Sequence, residues 1–136
     1  MACPYFEPAK RRSDLRALIP LGDFWSGVCH ATAGAPFEPD ERLLSECCNM
    51  GYARGRCPRF PDDAGPDAVR FTVASDSVHV IRVSFALEKD HQPHAQGALD
   101  YSRSSGSFTA GHPDRLIEQQ VRAYLASYLR RKPDPA

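Results

Sequence analysis

The stretch Cys47–Pro61 constrains this chain more than any other. It reads Cys-Cys-Asn-Met-Gly-Tyr-Ala-Arg-Gly-Arg-Cys-Pro-Arg-Phe-Pro and holds three of the five cysteines. The remaining two, Cys3 and Cys29, lie upstream, and none follows Cys57, so every thiol falls in the first half of the sequence. A fold for this chain must therefore account for five thiols in one region, with two glycines and several prolines between and around them.

The compartment decides how those thiols are read. Glu7, Lys10, Arg11, Arg12, Asp14 and Arg16 interrupt every place where a secretory leader would need an apolar run. No run of about 18 apolar residues offers a membrane span. The expectation is a cytoplasmic protein, where disulfides are disfavoured and metal ligation is the better use of several cysteines. An odd count of five fits four ligands and one spare thiol.

Cys3, Cys29, Cys48 and Cys57 form the candidate ligand set, drawn from an extended arm, a glycine-rich loop, a helix end and a turn. Four thiolates suit either a tetrahedral zinc ion or a cubane [4Fe-4S] cluster. Structural zinc sites usually take their ligands as close C-x2-C pairs, and this sequence has none. Cys3-Pro4 and Cys57-Pro58 resemble the Cys-Pro ending of bacterial ferredoxin cluster motifs. Gly51 and Gly55 would let backbone N–H groups approach sulfur closely. The expected cofactor is thus a [4Fe-4S] cluster, with zinc as the alternative and buried free thiols as the reading without metal. Cys47 is the expected spare thiol beside Leu43, because Cys48 sits nearer the helix end and Gly51. Arg54, Arg56 and Arg59 flank Cys57 and would stabilise the negative charge of a reduced cluster or dock an acidic partner or a nucleic-acid phosphate.

Other chemistry finds less support. His30 adjoins Cys29, but neighbouring residues seldom both reach one metal; His79, His91, His94 and His112 fall on a strand or in polar turns. There is no phosphate-binding glycine loop, no His-Glu-x-x-His and no nucleophile elbow. Seventeen basic and seventeen acidic side chains cancel, which argues against nucleic acid or a membrane surface as partner. Phe24, Trp25, Tyr52 and Phe60 are expected to pack around the cysteines.

The expected fold class is α+β in a single domain over residues 1–136. Its first part, 1–66, is an irregular cysteine-rich, metal-binding lobe; 67–136 is a small antiparallel β-sheet packed by a C-terminal helix. Ser13 would cap a short turn of helix to Leu18. Glu38-Pro39-Asp40-Glu41 starts a helix reaching Asn49, closed by Gly51 in a left-handed cap. Val69–Val73 and Val78–Leu87 alternate with period two and form a hairpin, with Leu99 and Tyr101 on a third, edge strand and residues 103–111 as a loop. Ile117, Val121, Tyr124, Leu125 and Tyr128 mark an amphipathic helix that follows Pro113 and stops at Pro133. The function these features imply is that of a small iron–sulfur protein in electron transfer or redox sensing, working with a protein redox partner rather than as a stand-alone enzyme. The alternatives are a zinc-stapled interaction module and, third, a thiol-dependent enzyme pairing one cysteine with a histidine.

Overall fold

A computed structural model describes residues 2–12, 23–32, 34–61 and 65–131. Phe71, Val73, Ile81, Val83, Phe85 and Leu99 alternate with polar neighbours, so extended chain puts them on one face. They lie on a four-stranded antiparallel sheet of order β3-β4-β5-β6: β3 Ala68–Asp76, β4 Val80–Lys89, β5 Gln92–Ser102 and β6 Ser107–Phe108. Val69, Phe71, Ile81, Val83, Phe85 and Leu99 turn inward against Ile117, Val121 and Leu125 of α2, Arg115–Arg131. Burying that apolar face is what holds sheet and helix together, since neither would persist in water alone. The opposite sheet face is polar, with Arg70 bonded to Glu88 at 2.9 Å and Arg82 to Asp100 at 2.8 and 3.1 Å.

The third strand differs from the expectation. β5 is eleven residues long and lies inside the sheet, and the edge beyond it is β6, which falls in the predicted loop. What reads as a polar turn at His91–His94 is a tighter feature. Asp90 and His91 both take left-handed conformations, φ 52° and 61°, and make a two-residue hairpin loop of the kind that matches strand twist. Pro93 then sits beside a register shift between Leu87 and Glu88, a place where a missing N–H is tolerated.

The N-terminal half is less irregular than the sequence implies. β1, Phe6–Arg11, pairs antiparallel with β2, Trp25–Cys29, despite Pro8 and Gly27, which stand opposite each other. Gly27 is required there: a Cβ would lie 2.0 Å from the carbonyl oxygen of Glu7. The arm before β1 reaches the large sheet, where Ala2 bridges Val69 through reciprocal backbone hydrogen bonds of 2.8 Å. α2 lies against both β1 and β4. Arg115 of α2 grips both carboxylate oxygens of Glu7, and Asp23 receives Ser127 Oγ at 2.6 Å together with Arg130.

The helix expected from Glu38 begins later and changes character. Asp40 is its N-cap, accepting the Leu43 N–H at 2.9 Å; α1 spans Glu41–Leu43 and continues as a π-helical turn, Leu44–Cys48. Gly51 follows with φ 78°, the left-handed position expected of it, and its N–H returns to Cys47 O at 2.9 Å. The Ser13–Leu18 turn and the stop at Pro133 lie outside the described residues.

Two outcomes follow for stability. Gly27→Ala should force β1 and β2 apart and cost about 2 kcal/mol, read as a lower urea midpoint. The hydrogen bond from Arg115 holds Glu7 below the usual carboxylate range, aided by His30 against the opposing effect of burial. Burial works to raise Asp23, yet hydrogen bonds from Arg130 and Ser127 and the charges of Arg130 and Arg131 hold it low as well. Groups depressed in this way add stability that is fully present above the unfolded carboxylate value of about 4 and is lost as pH falls through the folded values. Urea midpoints measured against pH should therefore drop below about pH 4. Glu7→Gln combined with Asp23→Asn should be less stable at neutral pH and show a flatter acid slope.

Candidate metal centre

Four backbone segments carry the cysteines, and hydrogen bonds knit them together. The Cys3 N–H donates to Cys48 O at 3.1 Å, and the Phe6 N–H donates back to Cys3 O at 3.1 Å, which curls the arm into a turn. Phe6 stands opposite Cys29 in the β1–β2 ladder, and the His30 N–H donates to Tyr5 O at 2.9 Å. Cys29 is bridged on its other side by Phe37, with bonds of 2.8 and 3.1 Å. The Cys57 N–H donates to Ala53 O at 2.8 Å, five residues after the π turn ends at Cys48.

Two buried amide side chains lock this arrangement. Asn49, fully buried directly after Cys48, accepts the Trp25 N–H at 3.1 Å and donates to Trp25 O and Leu44 O, each at 2.9 Å. It thereby fixes the end of the helical turn to β2. Gln120, fully buried on α2, donates to Cys3 O and Phe6 O, each at 2.7 Å. Sequence reading missed both residues. An Asn after a helix and a Gln on an amphipathic helix look like ordinary polar positions, and only burial reveals otherwise.

Four of the five thiols lie in or against two apolar clusters, and Cys29 belongs to neither. Cys3 and Cys48 pack with Phe6, Phe24 and Leu44, with Tyr5, Trp25, Met50 and Phe60 against them. Cys47 packs with Leu43 and Ala53, and Cys57 lies against that group with Phe37 and Phe60. Consecutive residues on a helical turn point about 100° apart, which sends Cys48 towards the arm and Cys47 towards Ala53. Of the aromatics expected around the cysteines, Phe24, Trp25 and Phe60 are there. Tyr52 is elsewhere, bonded to Glu88 and stacked on His91.

Electrostatics shows the same convergence. Burial pushes the Cys3 thiol up to about 12, opposed by a hydrogen bond from the Tyr5 backbone and reinforced by Cys29, Cys57 and Cys47. Burial raises Cys48 further still, with Cys3, Cys29, Cys47 and Cys57 all adding to the effect. Cys29 is raised by burial, lowered in part by the Ala31 backbone N–H and by Arg59, and raised by Cys57. Burial and Cys57 raise Cys47, while Arg56 and Arg42 oppose them. Cys48 thus feels the charge of the other four thiols, Cys3 that of three, and Cys29 that of Cys57. Cys3 and Cys29 each accept a hydrogen bond from the backbone two residues on, an arrangement that favours thiolate over thiol.

His30 faces away from metal ligation, with its Nε2 at 2.7 Å from Glu7 Oε1. Among the described residues, no group of three or more His, Cys, Asp and Glu side chains is arranged to hold a metal ion. The Trp25 Nε1 and Gln120 Oε1 atoms are buried without a hydrogen-bond partner among the described residues. Of the three arginines expected to face Cys57, Arg54 is drawn into its own scaffold: it bonds Gly65 O at 3.0 Å, lies 3.8 Å from Asp67 and sits over the Phe60 ring. Arg59 covers the Phe37 ring at 3.6 Å. The chain matches no family model, no curated protein and no solved structure.

Removing either amide should be felt. Asn49→Ala removes the amide partner of the Trp25 N–H and of the Trp25 and Leu44 carbonyls, and Gln120→Leu removes that of the Cys3 and Phe6 carbonyls, while Leu44 O and Cys3 O keep their backbone bonds; each change should cost about 2 kcal/mol. Urea unfolding followed by Trp25 fluorescence measures the loss.

Proposed function

We propose that this chain is a small iron–sulfur protein that carries or senses single electrons through one [4Fe-4S] cluster held by Cys3, Cys29, Cys48 and Cys57. The observation that carries the reading is that thiols from separate segments lie near enough for charge to act between them: Cys29, Cys57 and Cys47 on Cys3, Cys57 on Cys29, and Cys3, Cys29, Cys47 and Cys57 on Cys48. Several buried thiolates repel one another strongly, and a metal centre supplies the positive charge that makes them stable together. The N–H groups of Tyr5 and Ala31, aimed at Cys3 and Cys29, suit sulfur that carries negative charge. The buried indole N–H of Trp25, packed beside Cys3 and Cys48, is a further donor available to such a centre.

The other readings weigh less. A zinc staple needs four donors within about 4 Å of one another around a single ion. No group of three among the described residues is arranged to hold a metal ion, which weighs against zinc and cluster alike; the cluster is preferred here on the missing C-x2-C pair and the two Cys-Pro steps. A thiol-dependent enzyme needs an accessible thiolate near neutral pH, whereas Cys3, Cys29, Cys47 and Cys48 are all buried and raised, which leaves the partly exposed Cys57 as the thiol such a reading would use. Cys47 remains the spare thiol in this reading, packed with Leu43 and Ala53.

When bound, such a cluster takes up and releases one electron at a time. The chain's part is to exclude water with Phe6, Phe24 and Leu44, to hold the ligand backbones in place through Asn49 and Gln120, and to direct N–H groups at sulfur. Protein purified anaerobically should be brown, absorb broadly near about 400 nm, bleach with dithionite and contain about four iron and four sulfide per chain. Serine at Cys3, Cys29, Cys48 or Cys57 should abolish the colour, whereas Cys47→Ala should keep it. A colourless protein with one zinc per chain would establish the staple instead.

A further inference from the structure

Most strand edges of this protein are covered or interrupted. β3 is bridged by Ala2 at Val69 and shifts register between Val73 and Ser75, and β2 is bridged by Phe37 at Cys29. On β1, the carbonyls of Phe6 and Pro8 receive Gln120 and Gln119 of α2. β5 is different. β6 pairs only with its Tyr101 and Ser102, so the earlier part of this eleven-residue strand has no neighbour on that side among the described residues. Asp100 O accepts the Thr109 N–H and Ser102 O that of Gly106, each at 2.9 Å, so these residues turn their backbone groups away from β4. By the alternation of an antiparallel ladder, Gln96 and Ala98 do the same. Ala95, Gln96 and Ala98 are exposed, and no Lys, Arg, Asp or Glu stands between Asp90 and Asp100. An edge is ordinarily guarded by charge, proline or a bulge. Here the stops stand only at the ends, with Pro93 and the unpaired His94 at the register shift on one side and Thr109 on the other. The open window is 95–99, and Gly97 is its centre.

We propose that this edge of β5 pairs with the same edge of a second copy of the chain, antiparallel about a two-fold axis at Gly97, so that two four-stranded sheets join into one. An axis there sets Gln96 against Ala98 of the other copy. Both residues point outward, so the pair exchanges two hydrogen bonds, and symmetry repeats it; four bonds then satisfy every open N–H and C=O of the window. Gly97 meets its counterpart in a non-hydrogen-bonded pair, where strands come closest, and neither residue has a side chain to clash. The space on its inner side is already taken by Phe85, whose ring edge lies 2.7 Å from where a Cβ would be. Ala95 faces Leu99 of the other copy, an apolar cross-strand pair. A window without charge brings no like charges together when it meets itself, and copies of zero net charge do not repel at a distance. A strand of another protein would find the same backbone groups, but a copy necessarily brings a window of equal length between the same stops. So short a contact makes a dimer that depends on concentration. The pairing is independent of what the cysteines hold.

The test uses the full chain, with its mass followed by sedimentation equilibrium and its amide exchange by residue-resolved NMR. From micromolar to near-millimolar protein the mass should rise towards that of two chains and stop there. Over the same range the Gln96 and Ala98 amides should exchange several-fold more slowly, while those of Gly97 and Leu99, which face β4, should not change. Ala98→Pro removes an outward N–H and leaves the β4 ladder intact, so it should weaken association about tenfold or more. Ala98→Val keeps the N–H and should still pair. Gln96→Lys, a second variant that leaves the backbone whole, sets two like charges beside the axis and should also weaken the dimer. Wild-type protein that keeps the mass of one chain, with Gln96 and Ala98 exchange independent of concentration, overturns the proposal. So does an association that Ala98→Pro and Gln96→Lys leave untouched, or one that grows beyond two copies. Slowed exchange at Gln96 and Ala98 on adding a Thr-Val repeat peptide, in protein that stays monomeric, would assign the edge to a foreign strand and overturn the second copy.

Discussion

Two buried carboxamides hold this structure in register. Gln120 reaches from the C-terminal helix to the carbonyls of Cys3 and Phe6, while Asn49 reaches from the end of the π turn to both backbone groups of Trp25 and to Leu44. A buried amide that leaves its partners unpaired costs more than it gains by packing, so each fixes its surroundings to one arrangement. Between them they join the N-terminal arm, β2, the helical turn and α2, which are the pieces a two-stranded ribbon could not hold together alone.

The cysteine neighbourhood depends on that fixing. Cys3 and Cys48 are bonded backbone to backbone, Cys29 is placed by its pairing opposite Phe6, and Cys57 returns to Ala53 by a short turn. Burial drives the thiols towards the neutral form, and their mutual repulsion drives them further in the same direction. A group of thiols so placed is either protonated and inert or deprotonated against a cationic centre. The N–H groups of Tyr5 and Ala31 oppose the upward shift at Cys3 and Cys29 without cancelling it.

Cys47 and Cys48 lie in different apolar clusters because consecutive residues on a helical turn point about 100° apart. The π turn instead bears on Asn49, whose N–H closes the i to i−5 bond on Leu44 O at 3.0 Å and whose side chain lies in the interior. Helical propensity does not foretell such a turn, because the gain comes from what Asn49 meets on β2.

The strands Ala68–Asp76 and Val80–Lys89, the helix Arg115–Arg131, the α+β class and the left-handed Gly51 were legible in the sequence, because each follows from alternation, helical spacing or a backbone conformation that glycine alone takes easily. The lengths of β5 and β6 were not, since Pro93, His91 and the serine-rich segment read as loop until a neighbouring strand supplies their hydrogen bonds. The β1–β2 pair was hidden behind Pro8 and Gly27, whose fit depends on their standing opposite each other. The candidate site divides in the same way. Cysteine count and spacing nominated Cys3, Cys29, Cys48 and Cys57 from the chain by itself, because chemistry belongs to residue type. Only tertiary structure decided that Cys3 packs with Cys48 while Cys57 lies with Cys47, that Arg54 turns away while Arg56 and Arg59 stay exposed, and that Asn49 and Gln120 fix the backbone around these thiols. Those facts are set by long-range burial, which no local pattern records.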